Sequence, residues 1–368
     1  MKILIVDTYY PAFLRSFYSE RPGLERRPYA EQWRALMDQC FGVADFYSTN
    51  LVRLGLEATE VVANAGALQL CWAREHGLGL RYRVTRRRGP GGIPVPWVSK
   101  SWIYPVLRAQ IQAFRPDIVH IQDPAATDPA FLREIRSDAR RITGQIASPY
   151  PPRADFRAYD LMLSSMPHFV EAFRKSGIRS ELFHLGFERT VLRRLGPAAS
   201  RDAVFVGGLS RSHKERIQFF ETLARRRPIE WFGYGLEQLA RGSPLRACYR
   251  GPAWGLAMYE VLAGARIALN HHIDVAGRYA NNMRLYEATG VGALLLTDWK
   301  ENLPQLYEPG KEVAAYRSVE ECADLMEHYL AREDERATVA QAGQARTLRD
   351  HTYEQRMREF VELARPLL

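Results

Sequence analysis

Asparagine, arginine and glutamate crowd into one short run, Asn281-Asn282-Met283-Arg284-Leu285-Tyr286-Glu287, which continues through Ala288-Thr289-Gly290-Val291-Gly292 to the apolar stretch 293–296 and ends at Thr297-Asp298. An asparagine ahead of a helix can cap it, and the first amides of that helix then face outward as an anion site, so Asn281 or Asn282 predicts a seat for negative charge. Arg284 and Glu287 stand three apart and project a cation and a carboxylate from one helical face. Gly290 suits a helix stop, and Gly292 gives slack before the strand. His271-His272, an irregular loop, a capped helix and a strand form the order that a nucleotide-sugar pocket needs: amides for a diphosphate, a carboxylate for ribose hydroxyls.

Other strand exits carry polar groups. Val204-Phe205-Val206 runs into Gly207-Gly208 and on through Leu209-Ser210-Arg211-Ser212-His213-Lys214. The glycines let the backbone approach a phosphate, and Arg211, His213 or Lys214 would neutralise a leaving diphosphate. The spacing is not that of a Walker A loop. At Leu269-Asn270-His271-His272 the imidazoles point in opposite directions on an extended chain, which favours His271 as a single donor contact over a metal pair. In Ile118-Val119-His120-Ile121-Gln122-Asp123-Pro124, alternation sends His120 and Gln122 to one face and Asp123 to the other. Asp123 is a general-base candidate or a turn aspartate before Pro124. Asp7-Thr8-Tyr9-Tyr10-Pro11 reads as a tyrosine-lined acceptor wall or as a packed turn.

Strand-length apolar runs position these exits, at 3–6, 59–63, 117–121, 142–147 and 160–164, then at 203–206, 229–232, 266–270 and 293–296, with helical segments between them. Alternation of this kind predicts an α/β protein with two doubly wound parallel sheets, whose ligands lie beyond the carboxyl ends of the strands. Residues 185–200, with Gly186, Gly196 and Pro197, suit an interdomain connection. Helical patterns at 318–331, 334–349 and 353–364 close the chain.

From Asn282 to Asp298 the chain resembles the donor-binding signature of group 1 (GT4-like) glycosyltransferases of the GT-B fold. It is most similar to the branch with the CgeB-like spore maturation proteins, where Asn-x-Arg-x-Phe/Tyr-Glu-Ala leads to Gly-Ala-Leu/Phe-Leu-Leu-Thr-Asp. The likeness continues from Leu303 through Tyr307-Glu308-Pro309-Gly310-Lys311-Glu312-Val313, and from Gly343 through His351-Thr352-Tyr353 to Arg356. It covers the last third well and the first half in outline. The resemblance implies two Rossmann-like domains facing across a cleft: residues 1–185 for the acceptor, a linker at 186–200, residues 201–350 for the nucleotide-sugar donor, and a helix at 351–368 returning to the first domain. It implies a hexosyltransferase-type enzyme that uses a nucleoside diphosphate sugar, retains anomeric configuration and needs no metal or other cofactor. Its acceptor would be a glycan, lipid, protein or small molecule. Glu287 would accept hydrogen bonds from ribose hydroxyls, and the 207–214 loop would touch the diphosphate.

The chain departs from the family in three places. Tyr279 stands eight residues before Glu287, where retaining members carry a glutamate, and Asp274 is the nearest upstream acid. The first loop lacks the family's glycines. Gln122 or Asp123 takes the place of a strand-exit histidine, leaving Asp123, His120 and Gln122 as the catalytic candidates of the first domain. Two other readings therefore stand beside the transferase: a nucleotide-sugar epimerase or hydrolase, and a catalytically silent sugar-nucleotide-binding assembly protein.

The whole chain fits this frame. Its 368 residues accommodate two domains, with 46% hydrophobic and 25% charged residues as in globular proteins. No apolar run reaches bilayer length, and Ile3-Leu4-Ile5-Val6 is too short for a signal peptide, which predicts a cytoplasmic protein. Cys40, Cys71, Cys248 and Cys322 are scattered, so neither a disulfide framework nor a zinc site is expected. No Asp-x-Asp triplet offers a metal-holding motif. The net charge of +9 suits an acidic partner, and Arg86-Arg87-Arg88 before Gly89-Pro90-Gly91-Gly92 predicts a mobile basic loop able to touch an anionic membrane peripherally. Charge is otherwise spread along the chain without a nucleic-acid-binding signature, so nucleic acid is not an expected partner.

Overall fold

The computed structural model describes residues 1–80, 84–88, 94–98, 102–210 and 213–368. The first sheet holds β1 (Lys2–Asp7), β2 (Glu57–Val62), β5 (Ile118–Ile121), β6 (Arg141–Gln145), β7 (Leu161–Ser164) and β8 (Ser180–Leu182) in the order β2-β1-β5-β6-β7-β8, all parallel. The second holds β9 (Arg201–Val206), β10 (Glu230–Phe232), β11 (Ala265–Asn270), β12 (Leu294–Asp298) and β13 (Ala314–Tyr316) in the order β10-β9-β11-β12-β13, also parallel. The two doubly wound sheets expected from the sequence are present. Their apolar strands, such as Leu294-Leu295-Leu296, are buried on both faces, as helix-covered parallel sheets require.

Strand order reverses once in each sheet, between β1 and β5 and between β9 and β11. Such switch points open a crevice at the carboxyl ends of the strands, because the following connections leave toward opposite faces. Register places Val6 between Val61 and Ile121, so Asp7 and Gln122-Asp123 emerge side by side.

β8 and β13 have three residues each, too short to stand out in the sequence. A separate antiparallel pair, β3 (Val84–Arg88) with β4 (Pro94–Val98), contains Arg86–Arg88, which the sequence reading had placed in a loop. Gly89–Gly92, and Arg211 of the predicted phosphate loop, lie outside the described residues.

The halves share a core: Ile3, Phe46 and Phe183 belong to the same buried cluster as Val204, Tyr259 and Leu295. Phe187 accepts from the Tyr353 amide at 3.0 Å and donates to the His351 carbonyl at 2.8 Å, tying the connecting segment to the later crossing. A side chain at Gly186 would come within 3.1 Å of the 352–353 backbone, so glycine permits that approach. The final helix, Tyr353–Ala364, starts with a capping box of Thr352 and Gln355. It packs Tyr353 on Phe46 and Tyr47, and Phe360 on His120 and Phe183, all in the first domain. Across the cleft, Tyr10 meets Tyr234 and Trp254 edge-on at 5.8 and 5.9 Å. His168 stacks on Tyr279 at 5.7 Å. No helix among the described residues is long and apolar enough to cross a membrane.

Candidate functional site

In the second domain the polar residues converge on the β9/β11 switch point. Gly207 and Gly208 leave β9, and the ring of Tyr234 lies where a side chain on Gly208 would go. The helix Lys214–Arg226 follows. It buries Arg216, Phe220 and Leu223, spaced as one inward stripe with an arginine in an apolar position. The Arg216 guanidinium donates to the Gly208 carbonyl at 3.4 Å and the His271 carbonyl at 2.5 Å, bridging the exits of β9 and β11. It has no carboxylate partner among the described residues, and its Nε is buried without an acceptor. Burial pushes its pKa down to about 10 despite Asp298, Tyr234 and Tyr316 nearby.

His271 is wedged on Phe219 at 4.4 Å, with its Nδ1 3.1 Å from the Tyr316 hydroxyl. Burial pushes its pKa down to about 4, so it is neutral at physiological pH. Tyr316 donates onward to the Asn270 carbonyl at 2.7 Å. His272 is buried: its Nδ1 meets Asp298 at 2.7 Å, and its Nε2 accepts from the Asn281 amide at 3.3 Å, which selects the tautomer carrying the proton on Nδ1. Asp298 sits well below the usual carboxylate range: burial opposes its charge, but attraction to the His272 ring and its hydrogen bond, to the His271 ring and to the Lys300 ammonium outweighs it.

Neither asparagine caps the following helix. Met283 occupies the cap position of Arg284–Gly290, with no side-chain cap bond. Asn282 instead donates to the Asn270 side chain at 2.7 Å, and the Asn281 carbonyl faces the Ser165 hydroxyl of the first domain at 3.4 Å. The amides of Leu285, Tyr286 and Glu287 donate to the Asn282 and Met283 carbonyls, which corrects the expectation of outward-facing first-turn amides there. The helix stop at Gly290 also answers to packing, since a Cβ would fall within 2.4 Å of the Phe187 ring.

Buried Glu287 pairs with half-buried Arg284 at 2.7 Å. Arg284 also donates to the Val206 carbonyl at 3.2 Å, and Tyr259 reaches Glu287 at 3.5 Å. Burial raises the Glu287 pKa, with Arg284 and Tyr259 opposing. His213 is half-buried and Lys214 exposed at the start of the helix that carries Arg216.

The first-domain wall is acidic. Thr8 Oγ1 donates to Asp123 at 2.7 Å, joining the exits of β1 and β5, and the Thr8 amide donates to Asp7 at 2.7 Å. Burial, reinforced by the Asp123 charge and opposed by the Thr8 amide, pushes the Asp7 pKa up to about 7. Tyr9 is buried and Tyr10 is half-exposed, so the exit is packed turn and aromatic wall at once. His120 does not reach the cleft. It is fully buried, bonded to Thr143 at 2.9 Å and packed on Phe360, and burial pushes its pKa down to about 4. Gln122 sits beside Tyr47.

Thus Gly207, Gly208, His271, Asn281, Asn282, Arg284 and Glu287 gather at one switch point and Asp123 faces the other, while His120 belongs to the core. Arg216 and Asp7 went unread in the sequence. The signal for Arg216 was available, a cation at the apolar spacing of Phe220 and Leu223, whereas half-buried Asp7 is distinguished only by its folded surroundings. No group of three His, Cys, Asp or Glu side chains gathers as a metal-holding cluster among the described residues. Cys40, Cys71 and Cys322 are buried free thiols, and Cys248 is half-buried.

Residues 211–362 match a family described as glycosyl transferase-like. No curated protein matches the chain in sequence. Over its full length the chain is similar in structure to Anabaena HepE, solved in complex with UDP-glucose, at 14% identity and a TM-score of 0.58 with 100% of both chains covered. AviGT4, a glycosyltransferase involved in avilamycin A biosynthesis, aligns at 15% identity and a TM-score of 0.58, covering 100% of this chain and 98% of its own. The sucrose-phosphate synthase of Thermosynechococcus elongatus aligns at 10% identity and a TM-score of 0.56, covering 100% and 99%. At such identities the likeness establishes the fold, which is GT-B.

Proposed function

We propose that the protein is a glycosyltransferase that binds a nucleoside diphosphate sugar on its second domain and transfers the sugar to an acceptor held by the first. Arg216 is the observation that carries this reading. A buried guanidinium whose hydrogen-bond partners among the described residues are two carbonyl oxygens is costly, and a diphosphate at the β9/β11 switch point would relieve it through charge-assisted hydrogen bonds. Gly207 and Gly208 let the Phe205 and Tyr234 rings close against the β9 exit, and His213 and Lys214, at the start of the helix that carries Arg216, add donors at the rim. Arg284 holds Glu287 for the ribose hydroxyls. The UDP-glucose bound by HepE and the glycosyl transferase-like match of residues 211–362 support the same class.

In the proposed reaction the bond from the anomeric carbon to phosphate breaks as the acceptor oxygen bonds to that carbon. Asp7, when ionised, accepts the hydrogen bond that orients the acceptor hydroxyl, and Thr8, which gives its amide to Asp7 and its hydroxyl to Asp123, holds Asp7 in place. The hydroxyl proton leaves with the departing phosphate, which gives retention. Positive charge on the protein would stabilise the leaving group without a metal. Within the class, the segment from Asn282 to Asp298 makes the CgeB-like branch our proposed placement.

The test is a thermal-shift screen against UDP, GDP and TDP and their sugar conjugates, with and without EDTA. A ligand that binds the folded state raises the midpoint as it saturates. One nucleoside diphosphate should stabilise the protein equally with and without chelator; stabilisation by none would refute the reading. Asp7 also favours a second reading, hydrolysis, because the same carboxylate could orient water. Donor turnover that does not respond to any acceptor would select it.

A further inference from the structure

A groove of about 1000 Å³ lies on the first domain between the helix Pro11–Ser19, the 22–26 turn and residues 64–67. A cavity of this size exceeds what one sugar ring requires. Its walls are fixed from beneath. Gln32, fully buried, accepts from the Tyr18 hydroxyl at 3.0 Å and donates to the Arg27 and Glu25 carbonyls at 2.7 and 3.4 Å, so one side chain anchors both walls. At the inner end the Asn64 side chain clasps the Tyr9 backbone, accepting from its amide at 2.9 Å and donating to its carbonyl at 2.7 Å. The groove therefore starts at the turn that carries Asp7 and Thr8.

The lining joins apolar surface from Pro11, Leu14 and Tyr18 to two cations. Arg15 is exposed and has no acidic partner among the described residues. Arg26 is 87% exposed and approaches Glu25 only at 3.8 Å. Glu25 is itself engaged with the Gly23 amide at 3.1 Å, so the groove carries one more positive than negative side chain.

We propose that this groove holds the acceptor, and that it selects an elongated amphipathic molecule whose anionic group is received by Arg15 and Arg26. The inference rests on the transferase reading above, since it is that reading which calls for an acceptor near Asp7. The anionic group is a phosphate or a carboxylate, and both chemistries are tested.

The probes are octyl phosphate and octyl β-D-glucuronide, with octyl β-D-glucoside as the neutral control, titrated below their micellar concentrations into the full chain at low salt. At least one anionic probe should bind on the order of 10-fold tighter than the glucoside, the effect of one charge-assisted contact. Which of the two binds tells phosphate from carboxylate. Combined Arg15→Glu and Arg26→Glu should abolish that preference while leaving the thermal shift produced by the nucleoside diphosphate intact, and Arg15→Gln with Arg26→Gln repeats the test without reversed charge. Equal or absent binding of all three probes, or a preference that survives both pairs of substitutions, would overturn the proposal. Loss of nucleotide stabilisation in the unaltered protein would instead count against the transferase reading, so the two failures are distinguishable.

Discussion

In the first domain a hydroxyl-to-carboxylate contact, Thr8 to Asp123, joins the exits of β1 and β5; in the second a guanidinium, Arg216, joins the exits of β9 and β11. Each wall thus spans the switch point of its own sheet, one with negative charge and one with positive. The second wall is closely wired: Asn282, Asn270, Thr297 and Tyr316 link the strand ends through side chains, and Arg284 clasps Val206. The first wall is held by fewer bonds and carries an acid that titrates near neutrality. A preformed cationic site suits a ligand of fixed charge, while an acid that ionises near neutrality suits the orienting of a hydroxyl.

The comparison breaks most visibly at Asp7. Asp7→Asn should lower kcat on the order of 10²-fold, the scale of losing the group that orients the reacting hydroxyl. In the unaltered enzyme activity should rise with pH through about 7 as the folded-state carboxyl ionises, and that limb should vanish in the variant. A variant with full activity and an unchanged profile would remove Asp7 from the mechanism.

Glu287→Ala tests the opposite wall. Truncating the buried Glu287 leaves the half-buried Arg284 uncompensated, and denaturant unfolding should show a loss of about 2 kcal/mol together with loss of nucleotide binding. An unchanged midpoint would mean that the pair is not closed in solution.

The difference sharpens with pH. Glu60 in the first domain, bonded to Ser48, is pushed up to about 8 by burial, as Asp7 is to about 7. Both groups hold protons in the folded state that the unfolded chain has released, so they withdraw stability as pH rises from about 4 through 8. Buried His120 and His351 and half-buried His184 and His271, each pushed down to about 4, oppose this below about 6.5. Thermal midpoints should therefore fall from pH 7 to pH 9, and Glu60→Gln should flatten the decline. The smallest effect belongs to Lys214→Ala: the side chain is exposed, so nucleotide affinity should change by less than about 1 kcal/mol and the change should fade with added salt.

How legible each wall was follows from where its residues sit in the chain. The segment from Asn281 to Asp298 places helix, turn and strand within one window, and the two sheets were readable because long apolar runs alternate with helices. Caps were misread because an asparagine before a helix has other partners: Asn270, distant in sequence, takes the Asn282 side chain. Asp7 resembled any turn aspartate until folding half-buried it near the Asp123 charge. Arg216 was hidden among basic neighbours, and its stripe with Phe220 and Leu223 was the overlooked cue. His120 looked available because strand alternation gives a side chain's face without saying what covers it. The cover is Phe360, from the helix that ends the chain.

The most direct measurement is calorimetric titration of the nucleoside diphosphate found in the screen, and of its monophosphate, into the unaltered protein and Arg216→Met. Loss of the buried guanidinium should weaken the diphosphate on the order of 10²-fold, and the monophosphate less, in a variant at least as stable as the original. A folded Arg216→Met protein that binds the diphosphate with undiminished affinity would contradict the account at its centre.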